Sequence, residues 1–258
     1  MKKRIMARAN LDGRRGVFLL PNLLTTCSLY AGFYSIVSSI NGNFFNAAVA
    51  IIVSGVFDSL DGRIARMTRT TSLFGVEYDS LSDLVAFGVA PALLVYLWAL
   101  KPFNQLGWVA CFLFLTCGAL RLARFNAHVT DQDTNFFQGL SIPAGAGMIA
   151  ATVFLFDYLN IGRPLKHWTV FVTVITLSFL MVSNFRYISL KGSLAKRKPF
   201  NTLVLAILVL ALISVQPQVT LYTLGLIYII SGPALAVLRP KPLPGENEVE
   251  VKTPSLGL

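Results

Sequence analysis

The sequence has few charged, cysteine and histidine residues. Only 13% of its 258 residues are charged and 55% are hydrophobic, whereas about a quarter of an average soluble domain is charged. Its three cysteines and two histidines match neither a zinc motif nor an even set of disulfides. These shortages argue against a soluble domain, a disulfide-rich fold and a zinc site.

Long apolar runs make up most of the chain. A membrane-spanning helix needs about 20 mainly apolar residues, and eight stretches come near that length. We therefore predict an all-α polytopic membrane protein: a six-helix core plus two C-terminal spans, which only Gln216, Pro217 and Gln218 separate. The predicted spans lie near residues 17–39, 44–65, 78–100, 106–124, 143–160, 168–188, 201–215 and 219–238.

The positive charges lie mostly on one predicted side of the membrane. With eight spans, all but three of the 22 Lys and Arg residues fall on the side of both termini, which is then the cytoplasmic side. The net charge of +10 is thus explained by membrane topology, and no nucleic-acid partner is expected. We predict a basic cytoplasmic segment over 1–16, a transmembrane domain over 17–238 and a disordered cytoplasmic tail over 239–258.

Acidic residues are scarce, yet five of the twelve lie between Asp58 and Asp83, four of them within two predicted spans. A carboxylate at membrane depth is costly unless it is paired, protonated or bound to a cation, so such acids are candidate functional residues. On helices, Asp58 and Asp61 share one face, while Gly75, Asp79 and Asp83 recur every four residues on another. A short connection lets the two faces oppose each other. The spacing predicts a cluster of four carboxylates.

Four converging carboxylates repel one another without a cation. Their oxygens are the hard ligands that Mg²⁺, Mn²⁺ and Ca²⁺ require, so all four aspartates are predicted metal ligands. Small residues on the same two faces leave room for a bulky ligand or its phosphates, with close helix packing as the alternative. These small residues are Gly62, Ala65 and Gly75.

The segment from Asp58 to Asp83 matches the pattern DxxDGxxARx8GxxxDxxxD at all of its fixed positions. This pattern resembles the defining motif of the CDP-alcohol phosphatidyltransferases. The resemblance implies a six-helix catalytic core in the cell (inner) membrane, a site open to the cytoplasm and a homodimer. It also implies transfer of a CDP-activated phosphatidyl group to an alcohol, with release of CMP.

The same resemblance gives the four acids unequal roles. Asp58, Asp61 and Asp79 are expected to bind metal, and Asp83 to contribute to the second metal and act as general base. Two divalent cations, Mn²⁺ or Mg²⁺ with Ca²⁺ as a further option, would neutralise the diphosphate and stabilise the leaving group.

A second group of residues is expected to border the CDP moiety. Asn22 and Thr25 of the PNLLT segment join it, with helix capping as their alternative role. For Arg66 the alternative is a charge anchor at the membrane surface. The motif positions in this group are Gly62, Ala65, Arg66 and Gly75.

Three further strings, GALRLARFN, FFQGLSIPAGAG and SNFRYISLKG, resemble the bacterial phosphatidylserine synthases of that family. They contain Arg121, Arg124 and Arg186, and an arginine can bind a carboxylate or phosphate through two hydrogen bonds. The alternative is that these arginines only supply cytoplasmic positive charge. The expected partners are CDP-diacylglycerol, L-serine, membrane lipids and a second copy of the chain.

Two other functions stay open at this point. A phosphatidylglycerophosphate synthase, or another CDP-alcohol phosphatidyltransferase, would use the same motif with a different acceptor such as glycerol 3-phosphate. A cation-coupled transporter could also carry acids in its spans. Transporters commonly show related halves and helices interrupted at the midplane, whereas these aspartates lie in one hairpin near the predicted cytoplasmic surface.

Overall fold

The computed structural model describes residues 2–68, 72–127, 136–161, 167–188 and 199–238. Nearly all of these residues are helical, and two three-residue strands, β1 (Phe136–Gln138) and β2 (Arg186–Ile188), pair with each other. The predicted tail over 239–258 lies outside the described residues. The helices are α1 (Lys2–Ile40), α2 (Phe44–Thr68), α3 (Leu73–Phe103), α4 (Gln105–Ala127), α5 (Ile142–Tyr158), α6 (Trp168–Val182), α7 (Pro199–Val215) and α8 (Pro217–Leu238).

Several of these helices can cross a membrane. Within the described residues, five helical stretches are long and apolar enough, and α5 and α6 are shorter apolar helices. The prediction of an all-α, multi-pass membrane protein is therefore confirmed, while the number of eight spans stays a prediction. The five stretches are Leu19–Ile40, Phe44–Thr68, Leu73–Phe103, Gln105–Ala127 and Pro217–Ala236.

Helices α1 and α2 form an antiparallel hairpin joined by a turn in which Gly42 has a φ of 78°. Buried Ser28 and Ser54 lock the pair, because their hydroxyl oxygens lie 2.7 Å apart. The Ser28 hydroxyl also lies 3.2 Å from the Ser54 carbonyl oxygen, and the Ser54 hydroxyl lies 3.0 Å from the Ser28 carbonyl oxygen. Such polar contacts between helices replace hydrogen bonds that lipid cannot offer.

Helix α3 starts with a cap and changes pitch near its middle. Ser72 precedes it in an extended conformation, and its hydroxyl accepts a hydrogen bond from the Gly75 amide at 3.0 Å. The helix is α-helical from Leu73 to Asp83, and then widens into a π-helical turn over Leu84–Val89. Pro91 follows and has no amide hydrogen to donate, so a wider turn is accommodated just before it.

The sixth predicted span was too long at its C-terminal end. We predicted helix to residue 188, but α6 ends at Val182, and β2 pairs antiparallel with β1, Gln138 opposite Arg186. Gly139 fixes the start of this arrangement, because its amide donates to the Phe185 carbonyl at 2.9 Å. Its φ is +75°, and a Cβ there would lie 2.3 Å from the Met181 carbonyl oxygen. The backbone pairing therefore replaces the last helical turns.

Candidate active site

Three of the predicted metal ligands meet between α2 and α3. Asp58, Asp61 and Asp79 each offer a carboxylate oxygen, and these oxygens all lie within 4.8 Å of one another. Asp61 is buried, and the other two are half-buried. The opposed faces predicted from residue spacing are thus present.

Asp83 joins the group through Asp58. The two carboxyl groups are in hydrogen-bonding contact, and Asp79 and Asp61 are further electrostatic neighbours of Asp83. Asp83 is not one of the three residues whose oxygens converge. All four acids are therefore brought together, with Asp83 at one side of the cluster.

Helix α1 holds the cluster through Thr25. The buried Thr25 hydroxyl lies 2.8 Å from Asp61 Oδ2, to which it donates, and 3.1 Å from the Pro21 carbonyl oxygen. The Ser82 hydroxyl, between Asp79 and Asp83 on α3, donates to the Thr25 carbonyl at 3.2 Å. Helices α1, α2 and α3 are thus connected by hydrogen bonds at the level of the acids.

The chemistry of this donor set fits a divalent cation. In the described part of the chain, Asp79 Oδ1 is buried without a hydrogen-bond partner, which is costly for a carboxylate oxygen. Closely spaced carboxylates also repel one another. A cation with a preference for oxygen ligands would relieve both penalties. Asp58, Asp61 and Asp79 could therefore hold a metal ion.

A cavity of about 180 Å³ opens beside Asp61 and Asp79. It is lined by every residue that we expected to border the nucleotide, together with Pro21, Ser72 and Val76. Their convergence on one cavity is thereby established, and their contact with a nucleotide stays a prediction. The expected residues are Asn22, Thr25, Gly62, Ala65, Arg66 and Gly75.

The two motif glycines face polar side chains. A Cβ at Gly75 would lie 3.2 Å from Ser72 Oγ and 3.5 Å from Asn22 Oδ1. A Cβ at Gly62 would lie 3.5 Å from Nη1 of the exposed Arg66. Gly32 shows the contrasting case of a helix crossing, since a Cβ there would lie 2.6 Å from the Ala86 Cα. Room in the cavity explains Gly62 and Gly75 better than helix packing does.

The structure also bears on helix capping as the alternative role of Asn22 and Thr25. Both residues lie in the interior of α1, which continues through Pro21, so neither caps a helix end. Both line the cavity, and Thr25 contacts Asp61 directly. The helix-capping alternative was wrong.

The three predicted acceptor arginines have different surroundings. Arg121 is only 9% exposed and, among the described residues, its Nε has no hydrogen-bond partner. Its guanidinium carbon lies 5.9 Å from the centre of the Phe125 ring, and its electrostatic neighbours are Tyr228 and Asp83. A buried donor close to Asp83 remains available for a ligand.

Arg124 makes a structural contact instead. It donates to the Val182 carbonyl at 3.1 Å and to Asn184 Oδ1 at 3.4 Å, which satisfies the C-terminal end of α6. Arg186 lies in β2, and its side chain is outside the described part of the structure. Of the two arginines whose side chains the structure describes, Arg121 is the one that is buried near the acids.

Sequence reasoning missed some residues around the site. Ser72 stands three residues before Gly75, and a serine at that position before an apolar helix is a recognisable N-cap signal. Ser82 and Tyr228 carry no such local signal, because each acts on a distant helix.

The chain belongs to the CDP-alcohol phosphatidyltransferase family, whose model matches residues 18–177. This range begins in α1, ends in α6 and includes the aspartate cluster and the cavity. Helices α7 and α8 lie beyond it.

Curated relatives cover most of the chain. A Helicobacter pylori protein named CDP-diacylglycerol–serine O-phosphatidyltransferase is 38% identical over 219 residues, which are 84% of this chain and 90% of the relative. A Mycobacterium tuberculosis protein of the same name is 35% identical over 227 residues, covering 85% and 78%. An archaetidylserine synthase from Methanothermobacter thermautotrophicus is 36% identical over 175 residues, covering 67% and 71%.

Proposed function

We propose that this protein transfers the phosphatidyl group of CDP-diacylglycerol to the hydroxyl of L-serine, giving phosphatidylserine and CMP. The observation that carries the proposal is the aspartate cluster, which has a small cavity beside Asp61 and Asp79 and the buried Arg121 as an electrostatic neighbour of Asp83. A donor in the cavity and an acceptor at Arg121 could thus approach the same acids. The names of the curated relatives support serine as the acceptor.

The donor side is the cavity between α1, α2 and α3. We assign the CDP moiety to it, with Asn22 as a polar contact, Arg66 beside the phosphates, and Gly62 and Gly75 leaving space for them. An arginine at the cavity mouth suits a phosphate because its donors are planar and always charged.

Asp58, Asp61 and Asp79, with Asp83 contributing to the second site, would hold two divalent cations, Mn²⁺ or Mg²⁺, with Ca²⁺ as a third option. Bound there, the cations would supply the positive charge that a diphosphate needs before a nucleophile can approach it and CMP can leave. The hydrogen bond from Thr25 orients the Asp61 carboxylate and leaves its second oxygen as a ligand.

On the acceptor side we assign Asp83 as the general base. It would take the proton from the serine hydroxyl while that oxygen attacks the phosphatidyl phosphorus and the bond to the CMP oxygen breaks. Arg121 is its electrostatic neighbour and would bind the serine carboxylate through two hydrogen bonds. Arg186 is a further acceptor candidate, whereas the contacts of Arg124 favour a structural role.

The proposal includes a location and an assembly. Positive charge near the termini supports a multi-pass protein of the inner membrane, with its site and both termini in the cytoplasm. Residues 1–16 would be a cytoplasmic segment, residues 17–238 the membrane catalytic domain and residues 239–258 a cytoplasmic tail. A homodimer is proposed from the family resemblance alone.

A purified-enzyme assay tests this function. The protein in mixed micelles receives CDP-diacylglycerol, Mn²⁺ or Mg²⁺, and either L-serine, glycerol 3-phosphate or inositol phosphate, and released CMP and lipid products are measured. We expect CMP release that depends on serine, with phosphatidylserine as the product. Release with glycerol 3-phosphate alone would make the protein a phosphatidylglycerophosphate synthase. No release with any acceptor would overturn the enzyme proposal.

A further inference from the structure

Helix α8 is attached to the strand pair by one aromatic side chain. Tyr187 of β2 is fully buried, and its hydroxyl donates to the Ile229 carbonyl of α8 at 3.2 Å. Gly232 makes room for the ring, because a Cβ there would lie 2.3 Å from it. The position of α8 is thus set against β2, next to Arg186.

This attachment places Tyr228 of α8 near Arg121, the buried arginine of the candidate active site. Its ring packs against Tyr187, with ring centres 5.5 Å apart and an angle of 40° between the planes. Its hydroxyl is hydrogen-bonded to the side chain of Ser141, which precedes α5, and it is an electrostatic neighbour of the Arg121 guanidinium. Tyr228 therefore lies among groups from β2, from α4 and from the residue that precedes α5.

We infer that Tyr228 is a positioning residue for the acceptor: it holds the buried Arg121 guanidinium beside Asp83, where it can take the carboxylate of the acceptor. This inference rests on the proposed function. It gives α8, which lies outside the residues matched by the family model, a part in choosing the acceptor.

The long side chain of an arginine has rotamer freedom that a neighbouring residue can restrict. An arginine loses rotamer entropy when it is fixed, so a binding site gains affinity when neighbouring residues fix the arginine beforehand. Arg121 is buried, and its Nε has no partner among the described residues. Tyr228, itself held by Ser141 and Tyr187, is a rigid polar neighbour for that guanidinium.

The test compares Tyr228→Phe with a matched control, Tyr222→Phe. The first variant removes one hydroxyl and keeps the ring that packs on Tyr187. The control removes a hydroxyl from the same helix, at a partly buried residue that packs against the hydrophobic core. Initial rates of CMP release are measured in mixed micelles, with serine and CDP-diacylglycerol varied in turn, and melting temperatures are measured alongside.

We expect the KM for serine to rise about tenfold in Tyr228→Phe, because Arg121 would then have to be ordered when serine binds. The KM for CDP-diacylglycerol and the melting temperature should stay as in the wild type, and Tyr222→Phe should match the wild type throughout. An unchanged serine KM would overturn the inference. An equal rise in both KM values would also overturn it, because that pattern indicates general loosening of the site.

Ser141→Ala provides a second route if Tyr228→Phe fails to fold. It removes the partner of the Tyr228 hydroxyl and leaves the aromatic packing intact, so the serine KM should again rise while the CDP-diacylglycerol KM does not. An unchanged serine KM in Ser141→Ala would then overturn the inference. A wild-type protein that releases no CMP with serine would overturn the proposed function itself, which separates that failure from this one.

Discussion

The acids of the site differ in their immediate contacts, and the contacts separate their roles. Asp61 is buried and accepts a hydrogen bond from Thr25, whereas Asp79 has one buried oxygen without a hydrogen-bond partner in the described structure. Asp83 contacts Asp58 and lies on the side of Arg121. The cluster is therefore asymmetric, with a side suited to metal and a side suited to proton transfer.

Asp83→Asn tests the base. A positioned general base contributes about 10² to 10⁴ in rate, so CMP release should fall at least about a hundredfold. Mn²⁺-dependent binding of CMP, measured by calorimetry, should persist because three carboxylates remain. Glu77→Gln is the control, since Glu77 is an exposed carboxylate on the same helix. Full activity in Asp83→Asn would contradict the assignment.

Thr25→Val tests the support of the metal ligands. Valine keeps the shape of threonine and removes the hydrogen bond to Asp61. Loss of such a supporting hydrogen bond typically costs 10- to 100-fold in metal affinity, so the Mn²⁺ concentration for half-maximal activity should rise by about that factor. Thr26→Val is the matched control, because the Thr26 hydroxyl bonds the Tyr78 hydroxyl at 3.0 Å instead. Equal effects of the two changes would refute this role.

At the level of helices and strands, the sequence predicted which residues share a face best where the α-helical repeat is uninterrupted. Gly75, Asp79 and Asp83 lie on one face because α3 stays α-helical to Asp83, where the π-helical turn begins. The end of α6 could not be predicted in the same way. Phe185, Tyr187 and Ile188 continue the apolar run, and hydropathy does not distinguish a membrane helix from a buried strand.

The contacts between helices and strands that are distant in the sequence could not be predicted from it either. Thr25 could be placed on the correct face of α1, but its bond to Asp61 depends on how α1 and α2 pack. Tyr228 gave no signal, because its role depends on a strand pair that was predicted to be helix and loop. Local patterns identified the motif residues, and tertiary packing decided which of their neighbours matter.

Gly139→Ala tests the turn that starts the strand pair. The substitution forces a side chain into a left-handed conformation and against the Met181 carbonyl. The strain should lower the free energy of unfolding by about 1 to 3 kcal/mol, visible as a lower melting temperature. Gly147→Ala in α5 is the control, since a Cβ there meets nothing within 4 Å. A melting temperature equal to that of the control would show that the turn adapts without strain.

For the molecule as a whole, metal binding should add to stability. A ligand that binds only the folded state stabilises it by about 2.7 kcal/mol at a concentration of 100 times its dissociation constant. Mn²⁺ should therefore raise the melting temperature of the purified protein, and EDTA should reverse the rise. Asp61→Asn should lose the shift and Glu77→Gln should keep it. An equal shift in Asp61→Asn would mean that Mn²⁺ binds elsewhere.

The position of the acids along α2 and α3 also bears on how the protein is made. Asp58 lies ten residues before the end of α2 at Thr68, and Asp83 lies ten residues after the start of α3 at Leu73. At 1.5 Å per residue, each acid is within about 15 Å of the same connecting segment. With the connecting segment on the cytoplasmic side, as the charge distribution predicts, none of the four carboxylates has to be carried across the lipid core during biosynthesis. A highly charged catalytic centre can thus be inserted without translocating its charge.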